Sequence, residues 1–457
     1  MQKPYGPHPI TVVPNSNLKE IAKPVTSFDN ELKKKIKIMI EVLRSDENGV
    51  GLSANQLDIN NRICVIEFTD KENKENSIPL QIFINPSIAE AKPEYETLDE
   101  GCLSVPKIEL PVERSIKIKV KAQNQQGKKV RLTAKGLLAR VLQHEIDHLN
   151  GILFTDRVKE KLSKKCPHLK KMKIVFIGSG DFANLILEGL ILLDLNILEI
   201  ISEKSKPAGR SQEFLLTPVA SIAKNFHKNL LEVDNIDQIV PNLEKLQPDL
   251  IILADFGKKL PESILRIPKI AAINLHPSLL PKYRGPSPIQ TAILKGEKET
   301  GVSIIKMTPK IDKGPILAQE TLEIFDFDHY LTLKWRLSNL ALKMLLNLLP
   351  KLQEGKFQEK QQDESLASTT HKLQKTDGEI NWQIDSQSIE RQIRAYYPWP
   401  GTYTFIDEKR LLIHLAHLEK NKLVLDIVQG EGKKPMKFAD FMRGFHGKKP
   451  DWFKKIK

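Results

Sequence analysis

The chain has 457 residues, so at about 150 residues per domain it is expected to form about three domains and not one. Hydrophobic residues make up 40% of it, enough for several buried cores, yet no stretch approaches the roughly 20 apolar residues of a membrane-spanning helix. The formal net charge of +13 indicates a polyanionic partner, or else only a lysine-rich surface in contact with solvent.

The N-terminus and the cysteines both favour a reducing compartment. The first nine residues contain three prolines and no apolar signal region. Cys64, Cys102 and Cys166 cannot all pair, so at least one thiol is free for another purpose. We therefore expect a cytosolic protein without structural disulfides.

Residues 1–162 contain a segment with the spacing of a metal-binding helix. His144 and His148 are one helical turn apart with Glu145 beside them, and Leu137 and Val141 precede them at helical intervals. This spacing predicts an apolar stripe that turns both imidazoles inward, towards a metal ion in a pocket. The alternative is a buried pair of hydrogen-bonded histidines without a metal.

The spacing of the residues alone does not identify the third metal ligand. A third histidine six residues after His148 is typical of one class of zinc protease, but Phe154 occupies that position. Glu160 lies within range downstream. Cys102, in a segment bounded by glycine and proline, is the better candidate, because one thiolate and two imidazoles leave a fourth position open for water. These ligands accept zinc, iron(II), nickel or cobalt.

Three motifs in this part of the chain resemble those of the peptide deformylases. They are Gly49–Gln56 (GVGLSANQ), Glu100–Ser104 (EGCLS) and His144–His148 (HEIDH), in that order. The joint match is far more specific than any one of them. The resemblance implies a small α+β metallohydrolase domain, with Fe²⁺ as the native metal and Zn²⁺ or Ni²⁺ as substitutes.

The resemblance also assigns roles to the residues of these motifs. Cys102, His144 and His148 would hold the metal, Glu145 would move protons, and Gln56 with the backbone N–H of Leu103 would stabilise an oxyanion. Arg114 falls where the family pairs an arginine with the motif glutamate, here Glu100. Asn55 is a departure, because the family usually has proline there, and we expect it to loosen the loop that aims Gln56.

A second domain is predicted for residues 172–353, after a basic linker at 163–171. Buried-strand patterns at 172–177, 196–202, 249–254, 271–275 and 301–307 alternate with helical patterns, which predicts an open, parallel-sheet, Rossmann-like α/β fold. Gly178, Gly180 and Ala183 follow the first strand as G-x-G-x-x-A, with Glu203 about 20 residues on. Taken alone, this pattern favours a dinucleotide site.

A different constellation lies further along. Asn274 and His276 end a predicted strand, and Asp312 lies on a loop after the next one. An amide, an imidazole and a carboxylate can polarise a carbonyl and accept a proton. No nucleophilic side chain accompanies them, so the pattern favours acyl transfer by direct attack of a substrate amine.

These residues resemble the active site of the folate-dependent formyltransferases, which use an asparagine, a histidine and an aspartate in this order. The resemblance implies 10-formyltetrahydrofolate as the formyl donor. It also implies that the glycine turn is a tight strand-to-helix connection and not a dinucleotide site. The donor would be bound by two segments after strands, specifically by Ala254, Phe256, Gly257, Ser278, Leu279, Leu280 and Pro281.

A third domain is predicted at residues 375–457, after a polar linker at 354–374. Short alternating strands predict a small OB-like β-barrel. Tyr396 and Trp399 are expected in its core, with base stacking as the alternative. This part resembles the C-terminal domain of the methionyl-tRNA formyltransferases, which implies tRNA binding by Lys204, Lys206, Arg210, Lys433 and Lys434.

Together, the resemblances predict a bifunctional enzyme of translation initiation. It would formylate initiator methionyl-tRNA and remove formyl from nascent formyl-methionyl peptides, which it could meet at the ribosome, with neither membrane nor DNA as a partner. A bacterial-type cytoplasm is favoured over an organelle. The alternatives are a deformylase-like scaffold without activity and a formyltransferase that acts on a small-molecule amine.

Overall fold

The computed structural model describes residues 9–46, 48–71, 73–208, 213–447 and 450–457. The chain divides into two compact units, one formed by residues 1–170 with 192–194 and the other by residues 171–191 with 195–457. Within the described ranges, no helix is long and apolar enough to cross a lipid bilayer.

The first unit is a small α+β domain. Its helices are α1 (Asn30–Ser45), α2 (Gly136–Leu149) and α3 (Phe154–Lys165). Its strands are β1 (Gly51–Ser53), β2 (Ile63–Phe68), β3 (Ile78–Ala91), β4 (Tyr95–Cys102), β5 (Val105–Ser115), β6 (Lys117–Gln123) and β7 (Lys129–Lys135). Five strands form an antiparallel sheet in the order β1-β2-β3-β6-β7, and β4 and β5 form a separate hairpin.

Helix α2 is held by apolar packing against the sheet. Val141, Leu142 and Ile146 belong to one buried cluster with residues of β2 and β6. His148 on the same helix is 1% exposed, so the prediction that its ring faces inward is confirmed. For Leu137 the prediction is wrong, because its side chain is 42% exposed in the first turn, before the packed face begins.

The second unit begins with an α/β layer. Its helices are α4 (Asp181–Leu192), α5 (Pro218–Asn225), α6 (Val240–Leu246), α7 (Glu262–Leu265), α8 (Pro288–Lys295) and α9 (Tyr330–Gln353). Its strands are β8 (Ile174–Gly178), β9 (Ile197–Glu203), β10 (Lys206–Ala208), β11 (Glu213–Leu215), β12 (Leu230–Val233), β13 (Leu250–Ala254), β14 (Ala271–His276), β15 (Glu299–Lys306) and β16 (Ile316–Glu323).

Seven of these strands form one mixed sheet in the order β12-β9-β8-β13-β14-β15-β16. The first five run parallel, which confirms the predicted parallel sheet, and the last two pairings, β14 with β15 and β15 with β16, are antiparallel. Strand β13 is buried at every position, as a strand covered on both faces must be. In such sheets, ligands bind beyond the carboxyl ends of the strands, here those of β13 and β14.

The rest of the second unit is smaller. It contains α10 (Ser386–Tyr396), α11 (Phe438–Arg443) and an antiparallel sheet of β17 (Thr402–Ile406), β18 (Lys409–Glu419), β19 (Lys422–Gly430) and β20 (Met436–Lys437). Because the described residues here form only this four-stranded sheet, the OB-like barrel stays a prediction. Tyr396 is buried as expected, whereas Trp399 is 50% exposed, so the core position expected for Trp399 is wrong.

Candidate functional site

Three side chains of the first unit converge as a metal site would require. Cys102 ends β4, and its Sγ lies 3.1 Å from Nε2 of His148, which in turn lies 3.2 Å from Nε2 of His144 on α2. These three ligand atoms all lie within 4.8 Å of one another. Tetrahedral zinc with one sulfur and two nitrogen ligands has edges of about 3.3–3.6 Å, so the donor set and its spacing fit one transition-metal ion.

The alternative third ligand lies elsewhere. Glu160 is exposed on α3, where it pairs with Lys164 at 2.8 Å. Phe154 is buried and its ring stacks on His144, with 6.3 Å between the ring centroids. Of the described residues, therefore, Cys102 is the one that completes the three-ligand group.

Glu100 orients the ring of His144. Its Oε2 lies 3.1 Å from Nδ1 of His144 and also accepts from Nη2 of Arg114 at 2.9 Å. Burial acts to raise the pKa of the Glu100 carboxyl, but the hydrogen bonds from His144 and Arg114 outweigh it and hold the pKa at about 2. A carboxylate behind a ligating imidazole fixes the ring orientation and the protonated nitrogen.

Two further residues, Arg140 and Asp147, belong to this network. Arg140, on α2, donates to Oε1 of Glu100 at 2.7 Å, and Asp147 bridges Arg114 and Arg157. Asp147 stands inside the HEIDH motif, so its nearness to the ligands is visible in the sequence. That it would pair with Arg114 and Arg157 is not, because both partners come from other elements.

Glu145 lies beside the three ligands and is 3% exposed. Burial raises the pKa of its carboxyl above the ordinary value, against the opposing effects of His144 and of the Ser53 hydroxyl. Ser53 Oγ lies 2.6 Å from Oε2 of Glu145. Gly51 makes room for this carboxylate, since a Cβ at that position would lie 2.5 Å from Oε1.

Gln56 completes the same pocket from a single helical turn at Ala54–Leu57. Its Oε1 accepts from the Ser53 N–H at 2.8 Å, which turns Nε2 towards Ser104 Oγ at 3.1 Å and Cys102 Sγ at 3.6 Å. Leu103 lies half-buried in the turn that joins β4 and β5. The structure thus brings the loop of Gln56 and the turn of Leu103 to the metal-binding residues.

The two imidazoles differ in electrostatics. Burial lowers the pKa of His148 well below its ordinary value, which keeps the ring neutral, as a metal ligand must be. At His144 burial acts in the same direction, but hydrogen bonds with Cys102 and Glu100 outweigh it and raise the pKa, so a metal ion that binds this ring must displace a proton.

A second convergence lies at the carboxyl end of β14. Asn274 Nδ2 donates to Oδ1 of Asp312 at 3.2 Å, and Nδ1 of His276 lies 3.8 Å from Oδ2 of Asp312. Nε2 of His276 lies 2.9 Å from the carbonyl oxygen of Tyr283, which can only accept, so Nε2 carries a proton. The Gly285 N–H donates to Oδ2 of Asp312 at 2.8 Å.

The loop that carries Asp312 is held by residues that the sequence places in a linker. Gln362 Nε2 donates to the Asp312 carbonyl at 2.8 Å, and Gln362 Oε1 accepts from Nη2 of Arg284 at 2.7 Å. Glu364 accepts from the same guanidinium at 2.9 Å. The polar segment 354–374 therefore runs along the second site, and its composition alone gave no indication of this.

A cavity of about 410 Å³ opens at these residues, within the range of small-molecule sites. Asn274, His276 and Asp312 line it, together with Phe256 and Gly257 from the loop after β13. The other predicted donor-binding residues lie elsewhere: Ala254 is buried in β13, Ser278 and Leu280 are buried under the loop, and Leu279 and Pro281 are half-buried.

The glycine turn after β8 has its N–H groups occupied. The N–H groups of Ser179 and Gly180 donate to the Asp255 carbonyl, at 3.0 and 3.2 Å. Phe182 N–H, at the start of α4, donates to Oδ2 of Asp255 at 3.3 Å. A dinucleotide phosphate at this turn would need these donors, and a carboxylate already lies against them. The turn thus serves as a strand-to-helix connection.

Three of the residues predicted to bind tRNA, Lys204, Lys433 and Lys434, are exposed on the second unit. Lys204 is exposed and pairs with Asp234 at 3.0 Å. Lys206 is in β10, and Arg210 lies outside the described residues. Lys433 and Lys434 are exposed in the turn after β19.

The chain matches three protein families. Residues 7–164 match Polypeptide deformylase, residues 172–349 match Formyl transferase, and residues 372–423 match Formyl transferase, C-terminal domain. The second and third matches lie in the unit with the Asn274 site, and the first lies in the unit with the cysteine and histidine ligands.

Similar proteins are found among known proteins and among solved structures. A methionyl-tRNA formyltransferase of Dictyoglomus thermophilum is 38% identical over 304 residues, which is 60% of this chain and 97% of that protein. A methionyl-tRNA formyltransferase of Staphylococcus epidermidis is 33% identical over 298 residues, which is 60% of this chain and 96% of that protein. Among solved structures, a peptide deformylase from Thermotoga maritima is 46% identical, covers 33% of this chain and 96% of that one, and has a TM-score of 0.30.

Proposed function

Because the chain belongs to the methionyl-tRNA formyltransferase family and has a polypeptide deformylase domain ahead of that region, we propose that it is a bifunctional enzyme of translation initiation. One site transfers formyl from 10-formyltetrahydrofolate to the amine of initiator methionyl-tRNA. The other hydrolyses the formyl group of nascent formyl-methionyl peptides. The steps do not cancel, because one acts on an aminoacyl-tRNA and the other on a peptide N-terminus.

The formyl-transfer step is assigned to Asn274, His276 and Asp312. The methionyl amine attacks the formyl carbon, a new C–N bond forms, and the bond from that carbon to the folate nitrogen breaks. The Asn274 amide stabilises the negative charge on the formyl oxygen, and the His276 ring contributes when Nδ1 as well as Nε2 carries a proton. Asp312, 3.2 Å from Asn274 and 3.8 Å from His276, accepts the proton that the attacking amine loses, and this proton is returned to the departing folate nitrogen.

The formyl donor is assigned to the 410 Å³ cavity, which Phe256 and Gly257 line next to the three polar residues. Ala254 and the segment 278–281 would lie behind the residues that line the cavity and would support the loops after β13 and β14. We propose that the tRNA phosphates are bound by Lys204, Lys206, Arg210, Lys433 and Lys434. Because these contacts are electrostatic, the affinity for tRNA is expected to fall as the salt concentration rises.

The deformylation step is assigned to the first unit. Cys102, His144 and His148 would hold one divalent ion, Fe²⁺ or in its place Zn²⁺ or Ni²⁺, which when bound supplies an activated water molecule and polarises the formyl carbonyl. Glu145 takes a proton from the attacking water and delivers one to the departing amine, so that formate and a free N-terminus are released. Gln56 Nε2 and the Leu103 N–H stabilise the oxygen that becomes negative.

The single observation that carries this proposal is that each half of the chain brings a complete set of chemically matched groups together. A sulfur and two imidazole nitrogens lie within 4.8 Å of one another in one unit. An amide, an imidazole and a carboxylate line one cavity in the other. The proposed compartment is a bacterial-type cytoplasm, where initiator tRNA and ribosomes are present.

The acceptor is tested by comparing amines in the presence of the folate donor. We expect formylation of initiator methionyl-tRNA and only background turnover of an amino-sugar nucleotide or a glycinamide-type amine, because the small amines have no phosphate backbone for the basic residues. Radiolabelled formyl incorporation measures all three acceptors. Turnover of a small amine at a rate equal to that of the tRNA would favour the small-molecule alternative.

The scaffold alternative for the first unit is tested by metal content. Purified full-length chain is expected to hold about one iron, zinc or nickel atom per molecule, and a Cys102→Ala variant far less, because removal of the thiolate takes away one of three protein ligands. Elemental analysis of both proteins gives the result. A wild-type chain with no bound metal after expression in metal-supplemented medium would favour the inactive scaffold.

A further inference from the structure

Asn55 connects the loop of Gln56 to the helix of the metal ligands. Its side chain is 4% exposed in the single turn Ala54–Leu57, directly after β1. Its Nδ2 donates to the carbonyl oxygen of His148 at 2.6 Å. His148 is itself 1% exposed and lies in the last turn of α2. This buried hydrogen bond joins the backbone of His148, a proposed metal ligand, to Asn55, which directly precedes the proposed oxyanion donor Gln56.

The same two residues carry a complementary pair of unsatisfied atoms. Asn55 Oδ1 and His148 Nδ1 are buried and have no hydrogen-bond partner, and in the described part of the first unit they are the only buried side-chain atoms of this kind. Leaving a buried polar group unpaired costs about 1–3 kcal/mol. One of these two atoms is an acceptor and the other is a nitrogen that can carry a proton.

The geometry of the ligands decides where that proton is. Nε2 of His148 faces Cys102 Sγ at 3.1 Å and His144 Nε2 at 3.2 Å, so the ring would bind an ion through Nε2 and carry its proton on Nδ1. A ligating histidine almost always donates its other N–H to an oxygen. For His144 that oxygen belongs to Glu100. Among the described residues, Nδ1 of His148 has no such oxygen partner, and Asn55 is held to this residue through the His148 backbone carbonyl instead.

We propose that Asn55 is a positioning residue of the metal centre. Its Nδ2 hydrogen bond fixes the backbone of His148 in the last turn of α2, and so fixes the point from which the ring presents Nε2 to the ion. Where related sequences usually have a proline, which restrains the loop by fixing φ, this chain uses an amide tether. The expectation that Asn55 loosens the loop is thereby replaced by a restraint of a different kind. The inference rests on the proposed deformylase function.

The test measures metal release from full-length protein. Wild type, Asn55→Ala and Asn55→Leu are loaded with Zn²⁺, and the rate of transfer to an excess of chelator is followed by absorbance. Both variants are expected to release the metal about 10–100-fold faster, the usual cost of losing such a supporting hydrogen bond. Asn55→Leu keeps the side-chain volume while removing both polar atoms, so it separates the loss of hydrogen bonds from the formation of a cavity.

Gln123→Ala is the matched control. Gln123 lies on β6, which carries none of the proposed ligands, and its Nε2 donates to the Gly127 carbonyl at 3.0 Å. The Gln123→Ala protein is therefore expected to release metal at the wild-type rate. Formyl-transfer activity reports the integrity of the second unit in every variant. Release from a folded Asn55→Leu protein at the wild-type rate would overturn the inference while leaving the deformylase proposal intact. Failure of the wild type to bind Zn²⁺ would overturn both.

Discussion

Replacing Glu145 by alanine is expected to lower kcat for hydrolysis of a formyl-methionyl peptide by about 10²–10⁴-fold, the usual contribution of general acid–base catalysis. Glu145 is 3% exposed, its carboxylate lies within 2.6 Å of Ser53 Oγ, and burial raises its pKa, so the group is placed both to take and to return a proton. Formyl transfer to methionyl-tRNA is expected to continue at the wild-type rate, because Asn274, His276 and Asp312 lie in the other unit.

The matched control for this prediction is Glu160→Ala. Glu160 is also a glutamate of the first unit, but it is exposed on α3 and pairs with Lys164. Its loss is expected to leave both activities unchanged, since an exposed ion pair contributes little to stability. Steady-state release of formate measures the first activity. A Glu145→Ala protein with full peptide hydrolysis would show that another group moves the protons.

Replacing Asp312 by asparagine is expected to lower kcat for formylation of methionyl-tRNA by about 10²–10⁴-fold. The substitution is nearly isosteric, so the Gly285 N–H can keep an oxygen acceptor while the negative charge and the proton-accepting capacity disappear. His276 also loses the only carboxylate that the structure places within 4 Å of its Nδ1 among the described residues. Incorporation of labelled formyl into tRNA measures the effect.

Asp326→Asn provides the control for this second prediction. Asp326 belongs to the same unit, is 96% exposed and pairs only at 3.5 Å with Lys298 in the described structure, so its substitution is expected to leave formylation unchanged. Peptide hydrolysis is expected to be normal in both variants. A formylation rate for Asp312→Asn within threefold of the wild type would remove Asp312 from the chemistry.

The sequence alone predicts those parts of each site that depend on local periodicity. Two histidines four residues apart share a helix face wherever they occur, and for His144 and His148 the structure places both rings at one point with Cys102. Four of the five parallel strands, β8, β9, β13 and β14, are predicted within a few residues, because continuous apolar runs between helical patterns have few other solutions, whereas the short strand β12 is missed. The family resemblance supplied the order of the three metal-site motifs.

The parts that could not be predicted depend on contacts between distant segments. The polar stretch with Gln362 and Glu364 reads as a linker, yet Gln362 holds the Asp312 carbonyl directly, and both side chains hold Arg284. Arg140 lies on α2, but its pairing with Glu100 requires the hairpin of β4 and β5 to fold over that helix. Helical periodicity likewise misplaced Leu137, because a periodic pattern does not show in which turn burial begins.

The most direct test of two independent sites in one chain is a single reaction. Purified full-length protein is given 10-formyltetrahydrofolate, initiator methionyl-tRNA and a formyl-methionyl peptide, with and without a chelator selective for transition metals, such as 1,10-phenanthroline, at constant Mg²⁺. Chelation is expected to abolish formate release from the peptide while formylation of the tRNA proceeds unchanged, because the Cys102 ligand set and the Asn274 cavity belong to different units. Equal loss of both activities, or peptide hydrolysis that resists complete metal removal, would contradict the account.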